Sequence, residues 1–130
     1  MVSVVDGLPD NAPRDLLPAI KLTRETGCGN SLTLDLGQNQ FATYCHLRAG
    51  LKVRAGDLVK TGQVLGAIGN SGSSFGAHLH FQVTDGPDSD ASEGIPFEFS
   101  SFTHDGASVS NEMPLNDWTI IFPQSPVARM

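Results

Sequence analysis

The sequence predicts a mostly β domain, a compact glycine-rich antiparallel barrel or sandwich with little helix. Three observations carry this expectation. Ser31-Leu32-Thr33-Leu34-Asp35-Leu36 alternates apolar and polar residues, the period of a half-buried strand. Gly37-Gln38-Asn39-Gln40 offers a tight turn, and Phe41-Ala42-Thr43-Tyr44-Cys45-His46-Leu47 reads as the return strand. Beyond it, Gly56, Gly62, Gly66 and Gly69 cut the chain into short pieces suited to tight turns. No stretch has the period of a long amphipathic helix.

Taken in order, Val2 to Val5 is a first strand closed by Asp6-Gly7. Pro9, Pro13 and Pro18 mark an irregular excursion from Leu8 to Ile20, and Ile20-Lys21-Leu22-Thr23 is a candidate short strand. In the hairpin, a two-residue Gln38-Asn39 loop pairs Leu36 with Phe41, Leu34 with Thr43 and Leu32 with Cys45. That register places Leu32, Leu34, Leu36, Phe41, Cys45 and Leu47 on the core face and turns Tyr44 and His46 outward. Val53 to Gly66 reads as short β pieces, His78 to Val83 as a strand, and Asp85 to Gly94 as a solvated acidic loop. Phe97-Glu98-Phe99 is a short strand. The tail from Thr103 to Met130 is irregular except for a strand at Trp118-Thr119-Ile120-Ile121-Phe122. The expected organisation is a main domain over residues 1–102, with a C-terminal extension over 103–130 packing on it.

The bulk properties exclude several classes of function. A net charge of −6 with eight scattered Lys and Arg residues gives no basic stripe for nucleic acid. No apolar run is long enough for a membrane span. Met1 leads directly into a strand, so no signal peptide is expected within this chain. A biotinyl or lipoyl carrier needs a lysine displayed at a hairpin tip, and Lys21, Lys52 and Lys60 have no such setting. The two cysteines, Cys28 and Cys45, neither demand nor exclude a disulfide. The hairpin register above puts them out of opposition, so Cys45 reads as a small buried apolar residue.

The histidines concentrate the chemistry. Three of the four lie in Tyr44-Cys45-His46-Leu47 and His78-Leu79-His80. Two histidines at i and i+2 of a strand share a face, with Cα atoms roughly 6.5–7 Å apart, so two imidazoles can converge on one metal or substrate. Gathered together, His46, His78 and His80 have the donor types for zinc. The fourth, His104, sits in the tail as a solvated loop residue.

Several segments fall in one order: Gly29-Asn30, Tyr44-x-His46-Leu47, Gly56-Asp57-x-Val59-x-x-Gly62-Gln63-x-Leu65-Gly66, Gly69-Asn70-Ser71-Gly72 and His78-Leu79-His80-Phe81. From Val2 to about Phe99 the chain resembles the lysostaphin/LytM-type zinc metallopeptidases, which cut peptide cross-links in bacterial peptidoglycan. The resemblance implies the LytM-type, barrel-sandwich-hybrid-like β fold. It makes His80 a zinc ligand and His46 and His78 the catalytic pair, and places Tyr44 and Asn70 at the substrate. It further implies zinc as cofactor, a peptidoglycan peptide as partner, and a periplasmic or extracellular location.

The family's other two ligands come from a His-x-x-x-Asp element expected upstream of the first strand, and these residues contain none. The expectation is therefore a domain lacking its N-terminal strands, with little or no peptidase activity and homodimerisation through the exposed sheet edge. The alternative is a non-catalytic module that binds peptidoglycan or activates a wall hydrolase.

Overall fold

The structure is a computed structural model that describes residues 3–12, 21–116 and 118–123. Seven strands are present among these residues: β1 (Ser3–Val5), β2 (Asn30–Gly37), β3 (Gln40–Leu47), β4 (His80–Thr84), β5 (Phe99–His104), β6 (Ala107–Glu112) and β7 (Ile120–Ile121). All pairings between them are antiparallel, and the described residues contain no helix. None is therefore long and apolar enough to cross a membrane. The chain divides into two compact units, Met1–Val59 with Val64–Ile95, and Lys60–Gln63 with Pro96–Met130.

The first unit holds a four-stranded sheet in the order β1-β2-β3-β4. One face carries the core: Leu32, Leu34, Ala42, Leu47 and Val53 are buried, with Tyr44 and Phe81 packed against them. Burying such aliphatic side chains supplies about 1.5–3 kcal/mol each. The Gln38-Asn39 turn forms as expected, with both residues at positive φ (55° and 57°). The register beyond it differs from the expected one. Gly37 pairs with Gln40, but Asp35 rather than Leu36 pairs with Phe41, because a bulge inserts Leu36 into β2. Leu36 is thereby 53% exposed. The one-residue shift exchanges the faces of everything downstream. Leu32 now opposes Tyr44 and Leu34 opposes Ala42, while Thr33 opposes Thr43. Tyr44 therefore lies on the core side, and Cys45 on the opposite face.

That exchange corrects the expectation for the cysteines. Cys28 and Cys45 form a disulfide with their Cα atoms 4.9 Å apart. Cys28 does not need to oppose Cys45 across the hairpin, because the turn preceding β2 folds back over the open face of β3. The His46 N–H donates to the Cys28 carbonyl at 2.7 Å and fixes that approach.

Other expectations shift by smaller amounts. Lys21 to Thr23 is not a strand, and residues 13–20 of the proline-marked excursion lie outside the described residues. Residues 53–66 form turns rather than strand pieces, although Leu47 bridges Ile68 and Gly69 bridges His78. The last expected strand shrinks to β7. In the second unit, a hairpin of β5 and β6 replaces the irregular tail and packs buried Phe102 beside Trp118 and Phe122. Its turn is Asp105-Gly106, both at positive φ, a sequence signal strong enough to have predicted it.

The disulfide joins residues 17 apart and limits the unfolded chain. Replacing both cysteines with serine is expected to lower the unfolding free energy by about 3 kcal/mol. Urea denaturation checks this, and a loss below about 1 kcal/mol would show that the bond is not a principal tether of the first unit.

Candidate functional site

The site is built on a second irregularity. Between Asn30↔Leu47 and Leu32↔Tyr44, one residue of β2 faces two of β3, Cys45 and His46. His46 adopts a positive φ of 62°, uncommon outside glycine. Strict alternation would turn His46 to the core side, as it does Tyr44. The left-handed residue instead brings His46 to the same groove as its neighbour Cys45. Both backbone groups of His46 stay satisfied, N–H by Cys28 and C=O by the Gly69 N–H at 3.1 Å.

A buried polar scaffold holds this bulge. Ser71, fully buried, donates its hydroxyl to the Leu47 carbonyl at 2.6 Å and accepts from the Asn30 N–H at 2.9 Å. The Asn30 amide donates to the carbonyls of Leu8 and Leu47 and accepts from the Leu8 N–H. Asn70 donates to the Asn11 carbonyl, and its own oxygen accepts from Ser74 Oγ at 2.6 Å. The loops meet so closely that two glycines are required. A Cβ on Gly29 would lie 2.6 Å from the Ser71 carbonyl carbon, and one on Gly72 would lie 2.6 Å from the Gly27 oxygen.

Three imidazoles converge above this scaffold. The His46 ring centre is 4.8 Å from that of His78 and 5.8 Å from that of His80. His46 is buried, and its Nδ1 lies 2.8 Å from the Ser71 carbonyl oxygen. A carbonyl only accepts, so Nδ1 carries the proton and Nε2 presents a lone pair. His78 follows the same pattern, with Nδ1 donating to the Gly76 carbonyl at 2.8 Å. His80 is arranged the other way. Its Nε2 donates to Gln82 Oε1 at 2.7 Å, which leaves Nδ1 as the free donor atom. Burial pushes the His46 pKa below its ordinary value; the Ser71 carbonyl works against that shift, and the charges of His78 and His80 add to it.

His46 and His80 open on a groove of about 610 Å³. Thr33, Thr43, Cys45 and Gln82 on the outer face of the sheet also line it, so its lining is rich in hydroxyl, amide and sulfur groups. Arg24 and Asp88 stand at the rim and pair at 2.7 Å, an exposed contact worth about 0–1 kcal/mol. Nothing in the spacing of Arg24 and Asp88, 64 residues apart, signals that pairing beforehand. Tyr44 lies on the other face of the sheet with its ring against Phe81, and burial raises its phenol pKa. Asn70 sits in the scaffold beneath the histidines. His104 belongs to the second unit and stacks on Trp118 at 3.9 Å.

Comparison with known proteins places these features in context. The profile of Peptidase family M23 matches residues 19–91. An uncharacterized metalloprotease of Haemophilus influenzae is 36% identical over 80 residues, which is 62% of this chain and 17% of that protein. An uncharacterized metalloprotease of Buchnera aphidicola is 40% identical over 55 residues, 42% of this chain and 14% of that protein. The matched stretch thus spans less than a fifth of either relative. A crystal structure of a variant of the catalytic domain of EnpA, a prophage-encoded M23 protein of Enterococcus faecalis, aligns with a TM-score of 0.47. It is 24% identical and covers 71% of this chain and 67% of that one.

The lowered His46 pKa has a consequence for stability. The folded state resists protonation more than the unfolded chain, whose histidine titrates near 6.5. Stability is therefore full above pH 6.5 and falls as the pH drops from there through the lower folded value. Urea midpoints measured across this range are expected to show a loss that the His46→Gln variant lacks.

Proposed function

Because the chain belongs to peptidase family M23, a family of metallopeptidases, we propose that its groove is part of the centre of a zinc endopeptidase that cuts peptide cross-links of bacterial peptidoglycan. The convergence of His46, His78 and His80 beside a polar groove is the observation that carries this proposal. His80 is the metal ligand, through the Nδ1 that Gln82 leaves free. His46 and His78 are the catalytic pair. Each has its proton fixed on Nδ1 by a carbonyl and presents Nε2. One neutral imidazole takes a proton from the attacking water and returns it to the leaving amine. The other, once protonated, donates a hydrogen bond to the oxygen of the tetrahedral intermediate. Tyr44 and Asn70 support these groups from the core face and the scaffold rather than touching substrate.

The residues present do not fit a complete zinc centre. His80 is the one ligand of the family's set found here. Among the described residues no group of three His, Cys, Asp or Glu side chains is placed to hold a metal ion. In this reading the described residues by themselves support little or no peptidase activity. The same shortage favours a second reading, a module that binds peptidoglycan or activates another wall hydrolase without cutting. Peptidoglycan lies outside the cytoplasm and disulfides persist in oxidising compartments, so both the substrate class and the Cys28–Cys45 bond support a periplasmic or extracellular location.

An N-terminal extension carrying a His-x-x-x-Asp strand tests the endopeptidase proposal. The extended protein is expected to bind one zinc per chain and to release cross-link fragments from purified peptidoglycan. His46→Ala, His78→Ala and His80→Ala should each reduce release by at least about 100-fold. A zinc-loaded extension that leaves peptidoglycan intact would favour the non-catalytic module.

β1 is the edge strand of the described sheet, and Val5 is exposed on it. This supports self-association by strand pairing. Light scattering at high micromolar concentration is expected to report a dimer; a strict monomer would remove this part of the proposal.

A further inference from the structure

The groove holds a second set of metal donors that the disulfide conceals. Cys28, Cys45, His46 and His80 all line it. Cys45 and His80 are direct partners across β3 and β4, which sets their Cβ atoms about 4.5–5.5 Å apart. The Cα atoms of Cys28 and Cys45 are 4.9 Å apart. The His46 and His80 rings are 5.8 Å apart, and each has one nitrogen left free by its partner, Ser71 or Gln82. Cys28 is half-buried, so a small thiol in the groove can approach the bond.

We propose that reduction of the Cys28–Cys45 disulfide creates a metal site in this groove, in which both sulfurs and the His46 and His80 imidazoles hold one zinc-like divalent cation. Two sulfurs on a tetrahedral zinc stand about 3.8 Å apart, against about 2 Å in a disulfide. Side-chain rotation at two neighbouring cysteines covers that difference. A dithiol reductant supplies the two electrons and two protons and leaves as its own disulfide. The cation then displaces the two thiol protons, and two thiolates balance its charge. The Ser71 carbonyl and the Gln82 amide oxygen are the outer partners that orient the imidazoles. Reoxidation by a small disulfide, which takes up the two electrons and leaves as two thiols, withdraws both sulfurs from the cation and expels it. The oxidised chain therefore has no such site. The proposal shares His46 and His80 with the peptidase proposal, but its test reads sulfur coordination and uses no substrate, so the two can fail separately.

Cobalt titration of the intact chain tests it. The protein is reduced with a dithiol, freed of reductant without air, and titrated with Co²⁺. One equivalent is expected to bind with sulfur-to-cobalt charge-transfer absorption and tetrahedral visible bands, while the oxidised chain gives neither. His46→Ala and His80→Ala should each weaken binding by at least about tenfold while retaining the charge-transfer absorption. The Cys28→Ser/Cys45→Ser double variant should lose that absorption. Circular dichroism follows the fold throughout, and the β signature is expected in the reduced chain or on adding cobalt to it. The proposal is overturned by a reduced chain without charge-transfer absorption at one equivalent, by histidine variants that both bind as tightly as the parent, or by unfolding that cobalt does not reverse.

Discussion

The buried Ser71 is the point on which the first unit depends. Its hydroxyl joins the Asn30 N–H to the Leu47 carbonyl, and its own carbonyl holds His46 Nδ1. One residue thus ties the start of β2, the end of β3 and the loop before β4. Each of these groups is shielded from water, so an unmet donor or acceptor here costs about 1–3 kcal/mol. Close approach of the loops follows from that need, and it is why glycine stands at positions 29 and 72. The bulge at Cys45 and His46 persists because the scaffold meets both backbone groups of a residue in a sparsely populated conformation.

From this arrangement the groove acquires its chemistry. The bulge brings a sulfur and an imidazole to the same groove from adjacent residues, and β4 adds His80 directly opposite Cys45. Fixed carbonyl partners choose the tautomers of His46 and His78, so both present Nε2, while Gln82 gives His80 the opposite tautomer. Three similar side chains thereby present different nitrogens to their surroundings. The disulfide is part of the same construction. It pins the turn before β2 beside His46, and its oxidation state decides how many donor atoms the groove can offer.

Much of this was legible in the chain. The alternation of residues 31–36, the Gln38-Asn39 turn and the return strand through Leu47 all appear where the pattern placed them. The motifs around His46, His78 and His80 carry the resemblance to the family in consecutive residues. The register was not legible, because the bulge at Leu36 leaves no mark in a pattern of alternating residues. That single inserted residue moved Tyr44 to the core, Cys45 to the groove and Leu36 to solvent. The disulfide is not legible either, since opposition within the hairpin is the wrong criterion for a cysteine contributed by the turn ahead of it. The β5–β6 hairpin stands where alternation is weak, and Asp105-Gly106 at its turn is the one local signal for it.

By itself, then, the sequence determined the β class, the first hairpin, the family and the identity of the histidines, because local periodicity, turn chemistry and spaced motifs are written in consecutive residues. Tertiary structure alone decided the strand register, the face on which Tyr44 and Cys45 lie, the Cys28–Cys45 bond and the Arg24–Asp88 pair. It also decided which nitrogen each histidine leaves free. These depend on bulges, on carbonyls contributed by distant loops and on burial, and such contacts between residues far apart in the chain are set only when the whole unit packs.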